Sequence, residues 1–322
     1  MKLHVFNPEH DIALAVNLSN FTAPHAGRQL RRDLGFLPAI WAAPDDEVLV
    51  DDVEVAKRAF AHLRHKPFDR FVDKYMLAKL NIGSVEPWGW DLALRSFLIR
   101  YGVKAVPSEE EIAVIRDLSH RKTAVRLLEK LKGDGLTGAS WQANSMNGVE
   151  DQLRQYHHIV VKAPWSSSGR GIRFIDEEIN DNQERWLRNV MIRQGSVIVE
   201  PYYKKVKDFG MEFESDGEGL VRYLGLSLFY TANGAYIGNI LASEEEKLEW
   251  ISGYIPVHLL IIIQELICGY LGELFKGKYC GPFGIDMMVV ASDAGGFLLH
   301  PCVEINLRRT MGHVAIDLYK NQ

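Results

Sequence analysis

The thirteen residues from Val160 to Ile172, VVKAPWSSSGRGI, constrain this chain most. Ile159, Val160 and Val161 read as a buried strand, and Lys162 projects a single cation near its end. Ser166, Ser167, Ser168, Gly169 and Gly171 then form a loop whose backbone amides can approach anionic oxygens closely. Arg170 adds a fork-shaped donor suited to a bidentate grip on phosphate. Ile172 to Ile175 (IRFI) reads as a returning strand, so the unit is strand, glycine-rich lid, strand. It is not a Walker A loop, which would end in Gly-Lys-Ser/Thr and open a helix. A plain hairpin between two strands is the alternative for the same residues.

A chain of 322 residues accommodates two or three core-forming units at roughly 100 to 200 residues per domain. Its 47% apolar and 25% charged residues are ordinary for a globular protein. A formal charge of −5 offers no general attraction to nucleic acid or an anionic membrane, so neither is expected as a partner and a small molecule is. Cys268, Cys280 and Cys302 are widely spaced and odd in number, which argues against a disulfide framework or a structural zinc site and suits a reducing cytoplasm. The opening MKLHVFNPEHD is too polar for a secretory signal, and the apolar stretch Leu259 to Leu271, broken by Gln264 and Glu265, reads as a buried amphipathic helix.

Residues 2 to 6 read as a strand and Asn7 to Asp11 as a loop. Ala39 to Ala42 and Glu47 to Val50 are short apolar pieces between helical patterns at Val53 to Leu63, Lys74 to Leu80 and Leu92 to Tyr101, with a strand expected at Val103 to Val106. This βαβ rhythm defines a small α/β domain over residues 1 to 118. From Ser119, a candidate cap, a helix runs through Lys122, Val125, Leu128 and Leu131. Residues 150 to 156 and Glu184 to Ile192 read as helices, Val197 to Glu200 and Leu220 to Tyr230 as strands, Glu244 to Ile251 as a polar connection, Val257 to Phe275 as a long helix and 283 to 307 as a hairpin.

That last hairpin carries the second chemical signal. If Ala294, Gly295 and Gly296 form its turn, Asp286 lies directly opposite Glu304. Opposed side chains have Cβ atoms about 4.5 to 5.5 Å apart, where like charges repel. Alternation adds Asn306 to the same face and sends Phe283, Ile285, Met287, Val303 and Ile305 to the other. Three oxygen donors on an apolar ribbon suit a hard divalent cation whose shell phosphate oxygens complete. A solvated carboxylate pair with a hydrogen-bonded Asn is the alternative, and Pro301 marks a place for a bulge that would shift the register.

With Lys162, the Ser/Gly lid, and Asp286, Glu304 and Asn306 in this order, residues 119 to 313 resemble the ATP-grasp superfamily of ATP-dependent ligases. The resemblance implies an α/β fold: a Rossmann-like preATP-grasp domain (1–118), a lid subdomain (119–200) and a C-terminal subdomain with the metal site (201–322). It implies that Lys122, Lys162 and the lid Ser166, Ser167, Ser168, Gly169 and Gly171 bind the phosphates of ATP. Glu200, Tyr202 and Tyr203 (VEPYY) would form the adenine-binding hinge, with Asp208 on the ribose hydroxyls. EINLRRTMG is similar to the family's Glu-x-Asn-Pro-Arg pattern, so Glu304, Asn306 and Asp286 would hold Mg²⁺ or Mn²⁺. Arg308 and Arg170 would act on the transferred phosphoryl group; Leu307 in place of proline leaves open whether Arg308 or Arg309 faces inward.

The activity implied is activation of a small-molecule carboxylate as an acyl phosphate and its capture by an amine or thiol, forming a C–N or C–S bond with ADP and phosphate as products. Such chemistry asks mainly for positioning and for cations that stabilise developing charge. A small-molecule kinase and a nucleotide-binding module without turnover remain as alternatives, and a homodimer is an admissible assembly. Glu9, His10, Asp11, Trp88 and Trp90 could border the substrate or merely cap and pack. His157, His158, His300 and Cys302 read as solvated or packing residues, Lys204, Lys205 and Lys207 as a wet surface, and residues 230 to 239 as a turn or an acceptor-site border.

Overall fold

The computed structural model describes residues 1–63, 67–166, 171–232 and 235–320. Its contacts divide the chain into two compact units, Met1–Asp117 together with Leu307–Gln322, and Leu118–Asn306.

The first unit is built on four parallel strands in the order β3-β2-β1-β4. They alternate with helices: β1 (Lys2–Val5), α1 (His10–Val16), α2 (His25–Leu34), β2 (Glu47–Leu49), α3 (Val53–Ala61), β3 (Phe71–Val72), β4 (Ser84–Pro87), α4 (Leu92–Arg100) and α5 (Glu109–Leu118). Parallel strands must be covered on both faces. Leu3 and Val5 pack on one side with Val72, Leu94 and Leu98, while Phe6, Val48 and Val50 pack on the other with Phe36, Ile40 and Phe60. Asp52 and Asp91 cap α3 and α4, accepting from Val55 N (3.0 Å) and Leu94 N (2.9 Å).

Three expectations change here. The fourth strand is Ser84–Pro87, whereas Val103 to Val106 forms none: Val103 N turns back to Leu98 O and Val106 N to Lys104 O. Lys74 to Leu80 contains only a one-turn 3₁₀ helix, Leu77–Lys79. Helix α1 starts inside the segment read as a loop, at His10.

In the second unit, α6 (Lys122–Leu128) begins after Arg121, so Ser119 is not its cap. Then come β5 (Trp141–Ala143), α7 (Met146–Tyr156), β6 (His158–Lys162), β7 (Ile172–Asp176), α8 (Asp181–Gln194) and β8 (Val197–Pro201). The antiparallel sheet β5-β8-β6-β7 packs Ile159, Val161, Val197 and Val199 against Val149 and Leu153 of α7 and Leu187 and Val190 of α8.

The remainder is β9 (Lys205–Ser215), β10 (Val221–Ala232), β11 (Ala235–Asn239), α9 (Glu244–Ser252), α10 (Val257–Phe275), β12 (Gly281–Ala291) and β13 (Phe297–Asn306). The strands form one antiparallel sheet, β11-β10-β9-β12-β13. The run that reads as wet lysines begins β9, and the expected polar connection is helix α9, held by a capping box between Ser243 and Glu246. Helix α10 matches the sequence expectation at both ends and buries one stripe, Leu260, Ile263, Ile267, Leu271 and Phe275, at helical spacing. By length and composition it is also apolar enough to cross a membrane. Beyond β13, α11 (Met311–Lys320) adds Val314 to the core of the first unit, so the last residues of the expected 201–322 subdomain pack elsewhere.

Candidate functional site

Strand alternation builds the site. In β9 and β12 the odd-numbered Phe209, Met211, Phe213, Phe283, Ile285 and Met287 are at most 1% exposed, and Ile305 of β13, opposite Ile285, is 7% exposed. The even-numbered residues therefore share the opposite face. Asp286 is paired with Glu304 on one side and Gly210 on the other; one row along, Gly284 separates Asn306 from Glu212; in the other direction Met288 lies beside Asp208. Asp286, Glu304 and Asn306 thus stand together as the sequence predicts, and Asn306 Nδ2 donates to Asp286 Oδ2 at 3.1 Å.

Arg121 answers this negative charge. Its Nη2 lies 2.7 Å from Glu304 Oε1, its Nε donates to Ala163 O at 3.1 Å, and Nη2 also reaches Ser166 Oγ at 3.3 Å. One buried guanidinium therefore joins the acidic face to the root of the Ser/Gly loop. That root is tight. Ala163 N donates to Gly171 O at 2.7 Å, and a Cβ on Gly171 would stand 2.3 Å from Ser166 Cβ, so only glycine fits. Ser167, Ser168, Gly169 and Arg170 lie outside the described residues.

Lys162, at the end of β6, is 5% exposed and pairs with Glu200 of the neighbouring β8 at 2.6 Å. Behind this pair lie His300 and Cys302, both almost fully buried. Burial drives the His300 imidazole down to about 4; Glu200 opposes the fall and Lys162 adds to it. Burial likewise pushes the Cys302 thiol well up, and Glu200, Asp286 and Glu304 reinforce that push while Lys162 resists it. The geometric link between the lysine pair and the carboxylate pair is Arg121, which holds both Glu304 and the carbonyl of Ala163 next to Lys162.

After Pro201, Tyr203 sets its ring 5.3 Å from His300, and burial raises its phenol to about 12. Tyr202 is exposed, with its ring edge toward Phe174. Tyr202 and Tyr203 line a cleft of about 810 Å³ with Gly138, Ala139, Tyr156 and Leu298. Asp208 pairs with Lys205 at 2.6 Å. Lys122 opens α6, its amide donating to His120 Nδ1 at 2.9 Å.

Arg308 lies in the first unit, where Nε and Nη2 both bond to Asp11 at 2.8 Å. Arg309 stacks on Trp41, 4.1 Å from its ring centre, and pairs with Asp317 at 2.9 Å. Asn7 and His10 bind Asp91, and Asn7 also holds Gly89 O at 2.8 Å.

Arg121 and Glu212 are the site residues that sequence reasoning passes over. Arg121 was masked by the more obvious Lys122 beside it. Glu212 could have been found from its place in FGMEF, a charge at a period-2 position on an apolar strand. It is 4% exposed. The all-oxygen set of Asp286, Glu304 and Asn306 fits a hard divalent cation, with Glu304 sharing its charge with Arg121. Among the described residues no three His, Cys, Asp or Glu side chains form a metal-holding group, so ligand oxygens would have to complete the shell.

No family model and no curated protein sequence matches the chain. Solved structures do. A biotin carboxylase from Campylobacter jejuni, solved as a β-γ-ATP complex, is similar over 100% of this chain and 71% of its own, with a TM-score of 0.53 at 12% identity. The D-cycloserine synthetase DcsG is similar over 100% of this chain and 98% of its own, with a TM-score of 0.51 at 10% identity. At such identities the likeness speaks for architecture alone: the chain shares the α/β fold of these two enzymes.

Proposed function

We propose that the protein is an ATP-dependent ligase that joins a small-molecule carboxylate to an amine or thiol. The observation that carries this reading is the Asp286, Glu304 and Asn306 face tied by Arg121 to the root of the loop after Lys162. Asp286, Glu304 and Asn306 would hold Mg²⁺ or Mn²⁺, which when bound would neutralise phosphate charge. Lys162 and Lys122 would ground the phosphates, with Ser166, Gly171 and the rest of the loop over them. Glu200 fixes the Lys162 ammonium. Tyr202 and Tyr203 border the adenine and Asp208 meets the ribose.

The substrate carboxylate oxygen attacks the γ-phosphorus of ATP and the bond to the bridging oxygen of ADP breaks. The amine or thiol then attacks the acyl carbon and phosphate departs with the bonding pair. No protein nucleophile is needed, which suits a site whose cysteine is buried and held protonated. Arg170 would act on the transferred phosphoryl group from the loop.

The test is ADP and phosphate release with Mg²⁺ and pooled amino acids and small acids. Asp286→Asn should lower metal-dependent turnover at least about 100-fold with an unchanged far-ultraviolet spectrum, since removing one of two close carboxylates relieves repulsion; Glu304→Gln should lower it as much but also lower stability, because it removes the carboxylate that pairs with the buried Arg121. Normal turnover in either variant would overturn the metal assignment.

A further inference from the structure

The first unit contains a cleft of its own. It has a volume of about 440 Å³ and sits where the parallel strands end, with Phe6 and Asn7 following β1, Val50 and Asp51 following β2, and Asp73 following β3. The carboxyl ends of parallel strands are where such folds accommodate small ligands, and this volume lies in the usual range for them.

The polar groups of the NPEHD segment are nearly all used within this unit. Asn7 and His10 are held by Asp91, and Asp11 by Arg308. Glu9 differs. Its side chain is only 9% exposed and lines the cleft; Oε1 receives Arg31 Nη1 at 2.6 Å, but Oε2 is buried with no hydrogen-bond partner among the described residues. A buried carboxylate oxygen left in this way carries a desolvation cost that a bound donor would remove. Burial raises the Glu9 carboxyl, and Asp91 and Asp51 add to the rise, against the Arg31 guanidinium and a hydrogen bond from its own backbone.

The other lining charges show which donor fits. Asp73 caps its own turn through Tyr75 N and Asp91 caps α4, so the acids not spent on the backbone are Glu9 and Asp51, which share Arg31. Among the described residues, exposed Arg28 binds only Ala23 O, at 3.2 Å through Nη1. Phe6, Phe21, Leu94 and Phe97 line the apolar part. The lining carries four acids, Glu9, Asp51, Asp73 and Asp91, against three cations, Arg28, Arg31 and Lys74, a balance that disfavours a phosphate. An ammonium at Glu9 Oε2 and a carboxylate toward Arg28, carried on one carbon, with an apolar side chain directed at Phe6, Phe21, Leu94 and Phe97, match these groups.

We propose that this cleft binds an apolar or aromatic amino acid as its zwitterion, with the ammonium on Glu9 and the carboxylate toward Arg28. This rests on the ligase reading only in making the amino acid a substrate; binding itself needs no ATP.

Isothermal titration of the full chain without nucleotide tests it, using L- and D-phenylalanine, L- and D-leucine, phenethylamine and 3-phenylpropionate. At least one amino acid should bind at least 10-fold more tightly than either single-charge analogue. Glu9→Gln should weaken the amino acid and phenethylamine by 10-fold or more. Arg28→Met, at an exposed site that folding does not need, should weaken the amino acid while leaving phenethylamine unchanged. No binding of any amino acid up to 10 mM, or equal binding by the analogues, would overturn the proposal even if Glu9→Gln fails to fold. Titration with MgATP is run alongside: ATP binding without amino acid binding sinks the cleft assignment alone, and the reverse sinks the ligase reading alone.

Discussion

Single side chains in the second unit bear charge in places where burial makes each protonation state costly to change. His300 is 0% exposed, and its folded pKa near 4 lies below the ordinary value of 6.5. Above pH 6.5 the ring is neutral whether the chain is folded or not, so its contribution is complete there. Between 6.5 and 4 the unfolded chain takes up a proton that the folded chain refuses, and stability falls with pH by about 3 kcal/mol from this residue. Urea unfolding of wild type and His300→Leu at pH 7.0, 5.5 and 4.5 should show a smaller acid loss in the variant. Equal losses would mean that the ring is solvated. The same reasoning explains why Lys162 and Glu200 come as a pair: either charge alone at this depth would be destabilising by several kcal/mol, so their distance of 2.6 Å is a condition of folding.

At the scale of elements, helix α9 has a polar sequence, EEEKLEWIS, and is specified chiefly by its start. Ser243 Oγ accepts from Glu246 N at 3.1 Å and Glu246 Oε2 accepts from Ser243 N at 2.8 Å. Ser243→Ala should cost about 1 kcal/mol, read as a lower urea midpoint at unchanged slope; no shift would show that Lys247, buried and bonded to Leu226 O, fixes the helix instead. The sequence pattern exposed α10 and the Lys162 strand because long apolar runs leave few alternatives, but it hid α9, whose signal is two polar residues three apart. It also hid β9, in which only alternate positions of KVKDFGMEFES are apolar. The facing of Asp286 and Glu304 was legible for a partly accidental reason. The turn is longer than the three residues inferred, since Ala291 faces Phe297, which displaces the register by two; a bulge between Met288 and Asp286, beside Pro301, displaces it back. Alternation by two survives an even slip, so the carboxylates stayed on one face.

On the scale of the whole molecule, the boundary near residue 118 could be read from a change of rhythm, whereas the return of the C-terminus could not, because a non-local packing partner leaves no local pattern. Residues 307 to 322 belong with the first unit: Val314 is 2% exposed within the cluster of Phe36, Ile40, Val48 and Phe60, Arg309 stacks on Trp41, its amide donates to Trp88 O at 2.8 Å, and Arg308 grips Asp11. Removing residues 311 to 322 deletes that helix and its buried valine while leaving β13 and every residue of the Asp286 face in place. Loss of the buried Val314 and Ile316 side chains costs about 3 to 6 kcal/mol, and the uncovered aromatic surface adds to this, so the first unit should melt several degrees lower. Calorimetry of the truncated chain is therefore expected to resolve two transitions, the lower one belonging to the first unit. The upper one should stay within about a degree of the temperature at which wild-type residues 118–306 unfold, as followed by hydrogen exchange at Val161 and Ile285. A single transition shifted as a whole would show that the two units unfold cooperatively and that the chain cannot lose one without the other.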